Sequence, residues 1–145
     1  MMEVNGIAHV DVTVTNFEQC VAFYRGLLPF MGLKHVVYDN DEYFYCIGGR
    51  TGFAVRRAAS QFRGLHFDQT RPGLHHVCFR ARSREDVSAV YELARELGAR
   101  IVRAPEQGQW APGYYSTLFE DPDGVRVEVN YVPGKGLLAA RSDAG

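Results

Sequence analysis

The feature that most constrains this chain is that its first half recurs in its second. His9-Val10-Asp11-Val12-Thr13-Val14 lines up with His76-Val77-Cys78-Phe79-Arg80-Ala81, and the same offset carries Glu18 onto Glu85, Ala22 onto Ala89 and Tyr24 onto Tyr91. Self-similarity at a fixed spacing marks a duplicated structural unit. Each copy opens with alternating apolar residues, the period-two signature of a half-buried strand. Each then offers a helix start, Asn16 followed by Gln19 and Ser83 followed by Asp86, at the spacing of a capping box. Cys20, Phe23, Tyr24, Leu27 and Leu28 form one apolar helical stripe, and Val87, Val90, Tyr91 and Ala94 repeat it. Pro29 is expected to stop the first helix and Gly98 to end the second as a left-handed cap.

Three strand candidates follow each helix: 33–38, 43–47 and 52–57 in the first half, 100–103, 114–120 and 125–131 in the second. The turn formers Asp121-Pro122-Asp123-Gly124 predict a hairpin between the last two. Each half is therefore β-α-β-β-β. The expected fold class is α+β, two tandem βαβββ modules forming a cup-shaped mixed β-sheet with the helices outside. Module one spans 4–57, a linker 58–73 and module two 74–132, together a single domain over 4–132, with a frayed tail at 133–145.

Composition then excludes several function classes. A chain of 145 residues, 46% hydrophobic, suits one globular domain and not wholesale disorder. Its apolar runs are short and broken by charge, which argues against a transmembrane helix, and Met1 to Gly6 lack the pattern of a secretory signal. Sixteen basic against seventeen acidic residues provide no field to draw nucleic acid or an anionic membrane. Cys20, Cys46 and Cys78, odd in number and without a C-x-x-C pair, fit reduced thiols in a cytoplasmic protein. The expectation is a cytoplasmic domain with neither nucleic-acid nor membrane partners.

Strand parity nominates the functional face. With Val10, Val12 and Val14 turned to the core, His9, Asp11 and Thr13 point the other way; His76, Cys78 and Arg80, and Arg126, Glu128 and Asn130, follow the same rule in their strands. Two imidazoles and a carboxylate converging on one concavity, His9, His76 and Glu128, make a facial triad for a divalent metal with positions left open. Arg56 suits a substrate carboxylate or other anion if it faces the cup, or pairs with solvent if it lies on the rim. The loop Ala104–Gly113, with Trp110 between prolines and Tyr114-Tyr115 after it, is a candidate lid; the alternative is that Trp110 packs at a subunit interface. Asp11, Cys78, Ser116, Trp110 and Tyr114 join Arg56 as candidate substrate-binding residues. Tyr43 and Tyr45 alternate with Phe44, so one set lines the cup and the other fills the core. His75, opposite in parity to His76, reads as structural, and His35 and His66 as surface residues.

These segments, with Ala22-Phe23-Tyr24 and Phe119-Glu120-Asp121-Pro122-Asp123-Gly124-Val125-Arg126-Val127-Glu128-Val129, resemble the vicinal oxygen chelate superfamily. That superfamily includes glyoxalase I, bleomycin-resistance proteins, fosfomycin-resistance enzymes and extradiol dioxygenases. The resemblance covers residues 4–132. It implies paired βαβββ modules, metal ligands at His9, His76 and Glu128, a small-molecule substrate that chelates through two neighbouring oxygens, and a homodimer. Aligning Gly52 with Gly124 places Arg56 where glyoxalase I enzymes carry a fourth ligand, so the three-ligand set looks more like fosfomycin-resistance enzymes and extradiol dioxygenases. Leu118 and Asp11 stand where fosfomycin enzymes have a Tyr and a Thr, and bleomycin-resistance proteins lack the ligands altogether. The expected function is a glyoxalase-like metalloenzyme of lyase or isomerase type, using a divalent Fe, Mn, Zn, Ni or Co ion as Lewis acid on a small vicinal-oxygen metabolite. The alternatives are an Fe(II)-dependent extradiol-type dioxygenase and a non-catalytic small-molecule binding or resistance protein.

Overall fold

The computed structural model describes residues 1–138; the end of the expected tail, 139–145, lies outside the described residues. The described residues separate into two compact units, one of residues 1–67 with 122–124, the other of 68–121 with 125–138. Their boundary falls inside the expected linker.

The first unit runs β1 (His9–Val14), α1 (Phe17–Phe30), β2 (His35–Asp39), β3 (Tyr43–Gly48) and β4 (Thr51–Arg57). The second runs β5 (Val77–Arg80), α2 (Arg84–Glu96), β6 (Arg100–Gln107), β7 (Tyr115–Glu120) and β8 (Arg126–Tyr131). Both are β-α-β-β-β, as the repeat predicts. The sheet orders match as well, β1-β4-β3-β2 and β5-β8-β7-β6. In each, the first strand pairs in parallel with the last and the other neighbours are antiparallel.

One face of each sheet is closed by its own helix. The stripe Cys20, Phe23, Tyr24, Leu27 and Leu28 of α1 is buried with Val12, Val14, Phe44, Phe53 and Val55 from the sheet. Large apolar side chains removed from water in this way each contribute about 1.5–3 kcal/mol. In the second unit, Val87, Val90 and Ala94 of α2 are buried with Phe119, Val125, Val127 and Val129. Tyr91, expected to share that stripe, is only half-buried, with the Arg95 guanidinium 5.6 Å from its ring centre.

Helix termini show where local rules were overridden. Pro29 does not stop α1, which continues to Phe30. A proline one residue from a helix end forfeits a single intrahelical bond, a loss the last turn tolerates. The actual stop is Gly32, at φ +94°, with Gly32 N–H donating to the Pro29 carbonyl at 3.0 Å and Leu33 N–H to the Leu28 carbonyl at 2.9 Å. Gly98, at φ +81°, closes α2 in the same way, with bonds from Gly98 to Arg95 and from Ala99 to Ala94. Both are Schellman motifs, so the duplicated unit keeps its cap as well as its strands.

Ser83 caps α2 as expected, its Oγ accepting from Asp86 N–H at 3.0 Å. Asn16 makes no such bond at α1. The chain entering α1 is held instead by Asp123, whose carboxylate accepts from Thr15 N–H (2.9 Å), Thr15 Oγ1 (2.8 Å) and Asn16 N–H (3.0 Å). An acid at a helix N-terminus satisfies orphan donors and complements the helix dipole. The two aspartates of the D-P-D-G turn thus have different tasks, because Asp121 Oδ1 accepts from Val125 N–H at 2.9 Å and shapes the turn itself.

Replacing Asp123 by Ala should therefore destabilise the fold by about 2–3 kcal/mol, the scale of lost hydrogen bonds to a buried charged group. Asn16→Ala should change stability by about 0.5 kcal/mol or less, since no capping bond is lost. Urea denaturation of the two variants checks the contrast; equal losses would show that Asn16 carries the cap.

Candidate functional site

Glu128 is turned away from α2 because its strand neighbours Val127 and Val129, 0% and 2% exposed, occupy the core. The ladder sets Cys78, Glu128, Leu118 and Arg103 side by side across β5, β8, β7 and β6. On this open face Glu128 is still only 8% exposed. A carboxylate so withdrawn from water is costly unless its oxygens are partnered.

Its partners divide between the two oxygens. Oε1 accepts from the Tyr114 hydroxyl at 2.6 Å and lies 3.4 Å from Arg103 Nη2. Oε2 lies 3.1 Å from His76 Nε2. The His76 ring continues outward, its Nδ1 2.8 Å from Nδ1 of His75. Arg103 Nη2 also donates to Ser116 Oγ at 2.7 Å, and its Nε lies 3.5 Å from Glu106. His76, Arg103, Trp110, Tyr114, Leu118 and Glu128 are among the walls of an open cavity of about 430 Å³.

The electrostatics follow from this crowding. Cys78 is exposed as a residue, but desolvation around its sulfur, and then the neighbouring Glu128 carboxylate, push that thiol up to about 12. Burial and the hydrogen bond to Glu128 raise the Tyr114 phenol above its ordinary value. Near neutral pH both groups therefore keep their protons, and Tyr114 is a standing donor.

In the first unit, His9 is exposed, 4.0 Å from Asp11 and edge-on to Tyr45 at 6.0 Å between ring centres. Asp11 Oδ2 accepts from Arg56 Nε at 2.7 Å, and the Arg56 guanidinium lies 3.9 Å over the Tyr43 ring. Arg56 is an exposed residue paired with Asp11 and stacked on Tyr43. Tyr43 and Tyr45 share the open face, stacked with centres 5.9 Å apart, while Phe44 is the core member.

The strand register corrects one alignment. Asp11 pairs with Ala54, and its repeat partner Cys78 pairs with Glu128. The counterpart of Glu128 in the first unit is therefore Ala54, not Arg56, and Tyr45 is the counterpart of Leu118. Lining up Gly52 with Gly124 fails because the two turns before the last strands differ in length. The register thus places Ala54, in the position paired with Asp11, where the alignment had placed Arg56.

The candidate lid is shorter than expected. β6 continues past Arg103 to Gln107, accommodating Pro105 through register irregularities on both sides of Arg103, so the connection is only 108–114. Such irregularities re-aim side chains, and here they flank Arg103, which reaches Ser116 and Glu128 together. Arg103, the last residue of the strand expected over 100–103, has no sequence signal for this role, because the register across β6 and β7 sets it. His75, read from the sequence as structural, and His76 both precede β5, and their rings meet through the two Nδ1 atoms.

Within the second unit the structure brings together His76, Glu128, Tyr114, Ser116, Trp110 and Cys78; within the first it joins His9, Asp11 and Arg56. Among the described residues no three His, Cys, Asp or Glu side chains form a ready metal cluster, and His76 with Glu128 is a two-donor pair.

Residues 6–129 match the family described as the Glyoxalase/Bleomycin resistance protein/Dioxygenase superfamily. The chain is 31% identical over 138 residues to the metallothiol transferase FosB of Shouchella clausii, covering 95% of this chain and 85% of that protein. It is 24% identical over 131 residues to the uncharacterized protein YqjT of Bacillus subtilis, covering 83% of this chain and 94% of that one. A solved Bacillus halodurans structure superimposes with a TM-score of 0.77 at 27% identity, over 88% of this chain and 96% of the other. Two βαβββ units, a carboxylate on the last strand beside the histidine just before the fifth, and a family match along most of the length agree: the chain belongs to the glyoxalase/bleomycin resistance protein/dioxygenase superfamily.

Proposed function

We propose that this chain is a metal-dependent enzyme acting on a small metabolite with neighbouring oxygens, with His76, Glu128 and His9 as the metal ligands. The observation that carries the reading is the nearly buried Glu128 carboxylate with Oε2 3.1 Å from His76 Nε2 at an open cavity. Imidazole and carboxylate donors together suit divalent Fe, Mn, Zn, Ni or Co. A cation beside them also offsets the cost of withdrawing Glu128 from water. His9 enters as the repeat equivalent of His76.

When bound, such an ion supplies Lewis-acid polarisation of a substrate oxygen. The chain's own groups do the rest. Arg103 and Arg126 place positive charge around the cavity and favour an anionic substrate. Leu118 and Trp110 provide apolar walls that exclude water from one side. Tyr114 keeps its proton and holds Glu128 in place. The reaction class that best suits this set is a lyase or isomerase step on a vicinal-oxygen compound.

A second reading is thiol transfer to a small electrophile, favoured by the 31% identity to a metallothiol transferase over 95% of this chain. Ala54 at the fourth-ligand position agrees with the three-ligand pattern that both readings share. Incubating the metal-loaded protein with a low-molecular-weight thiol and fosfomycin separates them: stoichiometric loss of free thiol supports transfer, and none supports the first reading.

Glu128→Ala should abolish binding of Zn²⁺ or Mn²⁺ while circular dichroism stays that of the parent, because the side chain faces away from the helix. Unchanged metal stoichiometry in the variant would remove Glu128 from the ligand set. A parent protein that takes up no divalent metal would instead favour a non-catalytic binding role. We also expect a homodimer, with light scattering giving twice the chain mass; a monomer with and without metal rejects that.

A further inference from the structure

The two donors on Glu128 Oε1 are also the two groups that touch Trp110. The Tyr114 ring meets the indole edge-on with centres 5.1 Å apart, and the Arg103 guanidinium lies 5.5 Å from the indole centre. Trp110 is 60% exposed and is the only tryptophan in the chain. It rests on Gly108, where any Cβ would collide with the indole ring. The loop that carries it is closed by Gly108 N–H donating to the Tyr114 carbonyl at 2.9 Å and by Tyr114 N–H donating to the Ala111 carbonyl at 3.1 Å. Tyr114 therefore ends this loop through its backbone and reaches the buried carboxylate through its hydroxyl.

A carboxylate can present two oxygens or one. Here Oε1 already accepts a 2.6 Å bond from a phenol, with a guanidinium nitrogen 3.4 Å away, whereas Oε2 faces His76. We propose that Tyr114 is a positioning residue: its hydroxyl commits Oε1, leaves Oε2 on the imidazole side as the oxygen offered to a ligand, and ties the Trp110 loop to the state of Glu128. The presentation of Oε2 rests on the reading of Glu128 as a metal ligand; the tie to the loop does not. Arg103 contributes to the same restraint, since it bridges Ser116, Glu128 and the indole face. A group bound at Glu128 would then be felt at an exposed aromatic residue beside the cavity mouth, through one hydroxyl.

The test uses the full chain, Tyr114→Phe, Glu128→Ala and the double variant. Tyr114→Phe keeps the ring that contacts Trp110 and removes only the donor. In chelator-treated protein each single variant should shift Trp110 emission, and the double variant should shift it no further than the larger single effect. Unchanged emission in Tyr114→Phe, or additive shifts, would overturn the tie between Glu128 and the loop. Zn²⁺ titration then reads the other half. Loss of a group that orients a ligand typically weakens metal binding by about tenfold or more, so Tyr114→Phe should lose roughly that factor while its thermal midpoint and circular dichroism are retained. Equal Zn²⁺ affinity would overturn the positioning role. Absence of Zn²⁺ binding in the parent protein would defeat the metal reading and the presentation of Oε2 with it, and the metal-free emission comparison would still decide the loop coupling.

Discussion

Each four-stranded sheet in this protein has one helix to cover it, and that shortage governs the rest. Alternation along a strand sends every second side chain to the helix side, where Val127 and Val129 lie. Whatever stands between them is delivered to the opposite face. Glu128 lies on that face for this reason, and its row-mates Cys78, Leu118 and Arg103 come with it because the hydrogen-bond register admits no other choice. The same constraint in the first unit presents Asp11, Ala54 and Tyr45.

What distinguishes the two faces is how each handles charge. On the second, a nearly buried carboxylate is surrounded by a phenol, a guanidinium and an imidazole, three groups of different chemistry at separate angles. Such an arrangement fixes the carboxylate with its two oxygens turned to different groups, Oε1 to Tyr114 and Arg103 and Oε2 to His76. On the first, Asp11 and Arg56 neutralise one another at 2.7 Å, and stacked tyrosines cover the sheet. Gly52 leaves room for this, because a Cβ there would sit 2.6 Å from the Tyr45 hydroxyl oxygen. A duplicated scaffold has thus kept its backbone devices, down to the paired Schellman caps, while its open faces diverged from an acid-centred cluster to an aromatic one.

The turn before β8 shows why a short motif can serve two ends. Asp121 organises its own turn through Val125, while Asp123 grips the start of α1. A residue 107 positions away in sequence thereby anchors the chain at the entry to α1, where Asn16 makes no side-chain cap bond. Local propensity prefers a cap from the neighbouring residue, and a better-placed charge from elsewhere displaced it.

The sequence by itself determined what depends on periodicity: two strand-helix-strand repeats, the helical stripe of Cys20 to Leu28, the left-handed cap at Gly98, and the outward parity of Glu128. These are one-dimensional properties, because a side chain's face follows from its neighbours' spacing. Tertiary structure alone decided what depends on pairing across the sheet. It made Ala54 the counterpart of Glu128, carried β6 through Pro105 so that Arg103 reaches Ser116, joined His75 to His76, and sent Asp123 to α1. None of these has a local signature, because register, irregularity in a ladder and long-range hydrogen bonds are set by which strands meet and where, not by the order of residues within any one of them.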